Sequence, residues 1–311
     1  MGSRSRVHRI APWFAATLAI VIAMTTAASA SSSCLQAHAT SPVVQRDLAY
    51  GPQPGQRLDV YRPRHARHAP ILLMVHGGGW RRGDKAMRAF VDGKVAHWTA
   101  AGAIVVSTNY RMQAPIDPQR EAEDVARALA YVQREARAWG GDPHRIVLLG
   151  HSAGAHLVVL LSAAPDIAEA QGAKPWAGTV ALDSAAYDLV TLMRAPHLRL
   201  YDRAFGKDPA LWRAMSPTLR LHRTTPPMLL VCSTRRSISC AQTRAFAQRA
   251  AALGSRVHVL PVDLTHRALN RDLGGDNGYT GQVDAAMRSL GLPVAACAVA
   301  PPDSANQVRN R

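Results

Sequence analysis

Ser152 lies in the run Gly150-His151-Ser152-Ala153-Gly154, after the apolar stretch Ile146-Val147-Leu148-Leu149 and before Ala155-His156-Leu157-Val158-Val159-Leu160-Leu161. That context predicts strand, sharp turn and helix, with two glycines permitting the turn and a serine hydroxyl pushed into a cleft. The helix would aim its first amides at the place where negative charge develops. A second run, His76-Gly77-Gly78-Gly79-Trp80, follows the predicted strand Ile71-Leu72-Leu73-Met74-Val75. Glycine amides can approach an oxyanion closely because no Cβ intervenes. A serine nucleophile facing such amides is equipped for acyl transfer, provided that a base takes the hydroxyl proton.

These motifs need a sheet whose strand ends meet at one edge. Leu58 to Arg62, Ile104 to Thr108, Thr179 to Leu182, Pro227 to Cys232 and Val257 to Val262 read as further strands, alternating with helical segments. Glu121 to Ala138 carries Val125, Leu129 and Val132 at helical spacing, and Thr243 to Leu253 ends at Gly254. Alternation of this kind predicts a mostly parallel sheet covered on both faces.

The chain resembles the α/β-hydrolase superfamily, and within it the esterase/lipase group with an H-G-G-G-W loop. The resemblance rests on the serine turn, the His76–Trp80 run, Leu58-Asp59-Val60-Tyr61-Arg62-Pro63 as an opening strand, and the strand ending Asn109-Tyr110-Arg111. Gly141-Asp142-Pro143 before the serine strand adds to it, and the match covers roughly residues 45–290. It implies an α/β-hydrolase fold: a mostly parallel twisted sheet, helices on both faces and a small helical cap. It also implies Ser152 as nucleophile and Gly77, Gly78 and Ala153 as amide donors. The base is expected beyond the last strand, which selects His266 after Asp263-Leu264-Thr265. His76 is read as a brace of the glycine loop, His151 as the variable residue of the turn, and His156 as packing beneath the site. His258 reads as a strand residue, and His65 and His68 as solvated.

The acid departs from the group's usual pattern. Most members carry an aspartate just after the strand that precedes the histidine, but here Cys232 runs into Ser233-Thr234-Arg235-Arg236-Ser237-Ile238-Ser239, without a carboxylate. Arg236 stands about where the aspartate is expected. Asp183, one strand earlier in a run Leu182-Asp183-Ser184-Ala185 that resembles the pancreatic-lipase branch, is the preferred substitute. Asp263, Asp188 and an acid-free site remain alternatives, with Asp188 also suited to cap the next helix.

Residues 189–225 do not follow the sheet rhythm. Their apolar residues, Trp212 among them, suggest a cap over the cleft or, equally, helices packed beside the sheet. Trp80 and Trp212 are candidate pocket residues, Trp80 having packing anchor as its other reading. No cofactor or metal is expected.

The first thirty residues read as a signal peptide: Arg4, Arg6 and Arg9, an apolar run, then Ala28-Ser29-Ala30 as the cleavage site. The product would be periplasmic or secreted, with no stable membrane insertion after cleavage. Residues 31–44 form an N-terminal segment, 45–291 one domain and 292–311 a disordered tail. Four cysteines in an oxidising compartment allow three pairings. Cys232 with Cys240 closes a short loop and is preferred, leaving Cys34 with Cys297. The net charge is +16, but arginine outnumbers lysine 33 to 4 and the basic residues are scattered, so nucleic-acid binding is not expected.

The sequence therefore points to an exported carboxylic-ester hydrolase acting on a small or polymer-linked ester, of short or medium acyl, acetyl or feruloyl type. An amide or formamide hydrolase, or a binding protein that has kept the fold without turnover, are the alternatives. Oligomeric state is not legible.

Overall fold

Apart from the isolated Gly2, the structure, a computed structural model, describes residues 41–112 and 117–293. The leader, Cys34, Cys297 and most of the proposed tail lie outside the described residues. Among the described residues eight strands form one sheet in the order β1-β2-β4-β3-β5-β6-β7-β8. They are β1 (Val43–Ala49), β2 (Arg57–Arg62), β3 (Ala69–Val75), β4 (Ile104–Thr108), β5 (Gly141–His151), β6 (Gly178–Leu182), β7 (Met228–Ser233) and β8 (Val257–Val262). β1 and β2 pair antiparallel, β2 joins β4 antiparallel, and every later pairing is parallel. The parallel strands therefore end along one edge, where ligand sites of open α/β sheets gather.

The period-two alternation of strand side chains divides the core into two layers. Ile71, Leu73, Ile104, Val106, Ile146, Leu148, Met228 and Leu230 face one layer, with α2 (Pro118–Glu135), α3 (Ala153–Ala163) and α9 (Ser237–Ala252). Leu72, Met74, Val105, Val147, Leu149, Leu229 and Val231 face the other, with α1 (Arg88–Ala100) and α11 (Gly278–Ser289). Helix α2 starts where its chemistry dictates. Pro118 occupies the first turn, and Asp117 accepts hydrogen bonds from the amides of Gln119 and Arg120. Short helix α4 (Pro165–Ala170) follows α3.

Between β6 and β7 the chain forms four short helices, α5 (Leu189–Arg194), α6 (Arg199–Phe205), α7 (Pro209–Ala214) and α8 (Pro217–Arg220). They occupy the segment whose rhythm breaks from the sheet. The last helix before α11 is α10 (His266–Arg271), which begins at the candidate base. Among the described residues no helix is long and apolar enough to cross a membrane.

Candidate active site

Strand β5 ends at His151 and α3 begins at Ala153, which leaves Ser152 as the turn itself, at φ 58° and ψ −116°. Such backbone is sterically costly for a side chain bearing Cβ, typically by about 1–3 kcal/mol. The rest of the fold enforces it: Ser152 N–H donates to Leu182 O at 2.9 Å, and its carbonyl accepts from His156 N–H at 3.1 Å. The hydroxyl caps no helix amide and is left for other work.

Across from it lies the glycine loop. A Cβ on Gly77 would stand 2.8 Å from both Ser152 Cβ and the His151 carbonyl, so only glycine brings this backbone so near the serine. Gly78 adopts φ +130°, and a Cβ there would run into the Arg82 carbonyl. His76 braces the loop: its buried ring stacks on Tyr110 at 4.6 Å, and Nδ1–H donates to Gly77 O at 2.8 Å. Tyr110 Oη donates in turn to His76 O at 3.0 Å. Burial lowers the His76 pKa, favouring the neutral ring.

His266 Nε2 lies 3.0 Å from Ser152 Oγ, and His266 Nδ1 lies 2.6 Å from Asp183 Oδ2. Asp183 follows β6 at φ 56°, and none of it reaches solvent. Its other oxygen accepts from Ser233 N–H at 3.0 Å and from Ser239 Oγ–H at 2.5 Å. Burial alone would raise its pKa; the bonds from His266, Ser233 and Ser239 and the nearby Arg236 charge outweigh that and hold it well below the usual carboxylate range. The rival carboxylates stand elsewhere. Asp263 is exposed and paired with Arg235 Nε at 2.8 Å. Asp188 caps α5 through Thr191 N–H at 3.0 Å.

Trp80 is not an open wall of the cleft. Only 2% of it is exposed, because it is wedged against His156, Tyr201 and Phe205, and its Nε1–H donates to His156 Nδ1 at 3.2 Å. It is a packing anchor that ties the glycine loop to α6. His156 completes the tie by donating from Nε2 to Met215 O at 2.8 Å, and burial lowers its pKa to about 4. The structure thus seats the short helices on the start of α3. Trp212, half-buried, donates to Phe205 O at 3.1 Å and Gly206 O at 3.3 Å, which joins α7 to α6.

Three nearby residues have contacts that sequence reasoning did not give them, His151 having been read only as the variable residue of the turn and Arg236 only as standing where an aspartate is expected. His151 donates from Nε2 to the His266 carbonyl at 3.0 Å, ring against ring at 4.5 Å. Its pKa is pushed down to about 3 by burial and then by the His266 charge, so it stays neutral. Lys94 of α1 is buried and donates to Asn270 O, 2.5 Å away near the end of α10; burial lowers its pKa to about 7. Arg236, just before α9, brings Nη1 to 2.6 Å from Asp183 Oδ2 and 2.8 Å from His266 Nδ1. A disulfide between Cys232 and Cys240 brackets the loop that carries it.

A serine, an imidazole and a buried carboxylate in this order, beside a glycine loop, can perform acyl transfer. The BD-FAE family model matches residues 58–249 of the chain, a span that holds Ser152, Asp183 and the glycine loop. The chain belongs to the BD-FAE family. Esterase LipC of Mycobacterium tuberculosis is 28% identical over 223 residues, covering 67% of this chain and 55% of LipC. Esterase LipQ of the same organism is 32% identical over 218 residues, covering 65% and 51%. This BD-FAE chain therefore spans about half the length of the curated relatives it matches. Among solved structures, esterase B from Lactobacillus rhamnosis superposes with a TM-score of 0.65 at 19% identity, over 88% of this chain and 94% of that one. The likeness identifies the α/β-hydrolase fold.

Proposed function

We propose that the protein is an exported serine carboxylic-ester hydrolase, working through Ser152, His266 and Asp183. The observation that carries this reading is the continuous path from Ser152 Oγ to His266 Nε2, at 3.0 Å, and from His266 Nδ1 to Asp183 Oδ2, at 2.6 Å. Ser152 Oγ attacks the ester carbonyl carbon while its proton passes to His266 Nε2. The amides of Gly77, Gly78 and Ala153 receive the oxyanion. His266 then gives the proton to the departing alcohol, leaving an acyl-serine, and water repeats the cycle to release the acid. Asp183 holds the ring and balances its transient charge.

Names of relatives support ester bonds as the target, and a small cap of four helices supports short or medium acyl groups, or acetyl or feruloyl decorations of a polymer. The basic-then-apolar leader, with Ala28-Ser29-Ala30, supports export to the periplasm or beyond, and a disulfide fits an oxidising compartment. The catalytic domain would run over residues 45–291, its cap within 189–225.

The test is hydrolysis of p-nitrophenyl acetate and butyrate, alongside labelling by a fluorophosphonate. Ser152→Ala should lower kcat on the order of 10^5–10^6-fold and abolish labelling. An unaltered protein no faster than Ser152→Ala would overturn the reading.

A further inference from the structure

Asp183 Oδ2, His266 Nδ1 and Arg236 Nη1 form a nearly equilateral triangle, with sides of 2.6, 2.6 and 2.8 Å. A guanidinium nitrogen donates and has nothing to accept with, while imidazole Nδ1 carries either one proton or one lone pair. When the proton is on Nδ1 it bonds to Asp183, and Nε2 offers its lone pair to Ser152. When the proton is on Nε2, Nδ1 accepts from Arg236, and Nε2–H donates to Ser152 Oγ and cannot serve as a base. Asp183 and Arg236 thus favour opposite tautomers of one ring. As the Oγ–C bond forms, the hydroxyl proton moves to Nε2, and an imidazolium arises beside a permanent cation.

Arg236 is held in that place. Its amide closes a turn on Ser233 O at 3.0 Å, the Cys232–Cys240 disulfide brackets the turn, and Nη1 also reaches the Asp183 carbonyl at 3.3 Å. The guanidinium side chain is about one quarter exposed, at 27%. The other titratable groups near this junction are His151 of β5, Lys94 of α1, whose field reaches His151, Tyr201 of α6, which faces Arg236, and Tyr187 and Tyr279, which the Asp183 charge reaches. None of these is bonded to Nδ1, which Asp183 and Arg236 reach.

We propose that Arg236 is a positioning residue for the ester hydrolysis assigned above, acting on Ser152 through His266. By opposing the imidazolium and the competent tautomer, it lowers the rate near neutral pH and preserves an unprotonated base in more acidic solution. The inference rests on the serine-hydrolase reading.

The experiment compares kcat/KM for p-nitrophenyl butyrate across about pH 4 to 9 in the unaltered protein, Arg236→Gln, Arg236→Met and Arg236→Lys, with Ser152→Ala as the blank. In either neutral variant the acid limb should move up by about one pH unit, from removing a cation in direct contact. The plateau above it should rise about 3- to 10-fold, so that the profiles cross. Arg236→Lys, which keeps the charge, should retain the acid limb of the unaltered protein. Labelling of Ser152 by a fluorophosphonate at alkaline pH verifies that each variant is folded.

An unmoved limb, or a loss by the same factor at every pH, overturns the proposal and leaves the esterase reading standing. So does failure of both neutral variants to be labelled at any pH, since Arg236 would then be structural support. An unaltered protein that matches Ser152→Ala overturns both readings.

Discussion

The turns after β6 and β7 lie side by side and differ in nearly every respect. After β6 the chain makes one strained step, at Asp183, and buries a carboxylate whose two oxygens accept from His266, Ser233, Ser239 and Arg236. After β7 it makes a longer loop carrying two arginines, one turned out to Asp263 and one turned in to Asp183, and a disulfide fastens it. Neighbouring strands are only about 4.8 Å apart, so an acid moved by one strand can still reach the same imidazole when its backbone is bent toward it. The place at β7 that the fold usually gives to the acid is filled by a cation. The carboxylate is therefore defined by where its oxygen arrives, and the strand that carries it is free to change.

The sharpest way to break this comparison is to remove each carboxylate in turn. Asp183→Asn should lower kcat about 10^4-fold, as loss of a buried triad acid does, and Asp263→Asn should stay within about twofold because its partner is a surface arginine. The reverse result in p-nitrophenyl butyrate assays would move the acid to the β7 side. Gly77→Ala comes next. The added methyl meets Ser152 Cβ and the His151 carbonyl at 2.8 Å, and displacement of the loop should cost about 100- to 1000-fold in kcat with little change in KM.

Replacing Cys232 and Cys240 by alanine acts on the β7 side alone. The cross-link spans a sequence separation of 8, so calorimetry should show a loss of about 2–3 kcal/mol, with reductant giving the same loss in the unaltered protein. The smallest effect on activity concerns α10, the helix on which both turns converge. Lys94 has a pKa of about 7 in the fold against an ordinary 10.5, so between those values the unfolded chain binds the extra proton and stability rises with pH. Lys94→Met should flatten that slope, read as a smaller difference in Tm between pH values below 7 and near 10.

The strands and the serine turn were legible because they depend on local pattern. Unbroken apolar runs at Ile71–Val75 and Ile146–Leu149 specify two-sided burial, and the glycines flanking Ser152 specify a tight turn. Helix α2 was displaced by a few residues, beginning at Pro118 in place of Glu121, because Asp117 and Pro118 form an N-terminal cap ahead of the apolar periodicity. The expected short-loop cysteine pairing is present. Trp80 was offered as a pocket residue alongside its packing role, and its burial by Tyr201 and Phe205, far along the chain, decides for packing.

His151 and Arg236 were not legible as neighbours of His266, nor Lys94 as a partner of Asn270. Each meeting joins residues far apart in the chain, by 115 positions for His151, 30 for Arg236 and 176 for Lys94, and no periodicity encodes it. One signal was available for Arg236: a basic residue standing where a carboxylate was expected.

Among the described residues, five other than glycine adopt left-handed backbone, and three of them are Trp80, Ser152 and Asp183. Conformations of this kind cost roughly 1–3 kcal/mol each and are relieved by glycine, which any selection for thermal endurance alone would favour. A designer optimising this chain only for heat resistance would thus be led to erase the loop anchor and the proposed nucleophile and acid, and could test those roles by noting which stabilising replacements silence the protein.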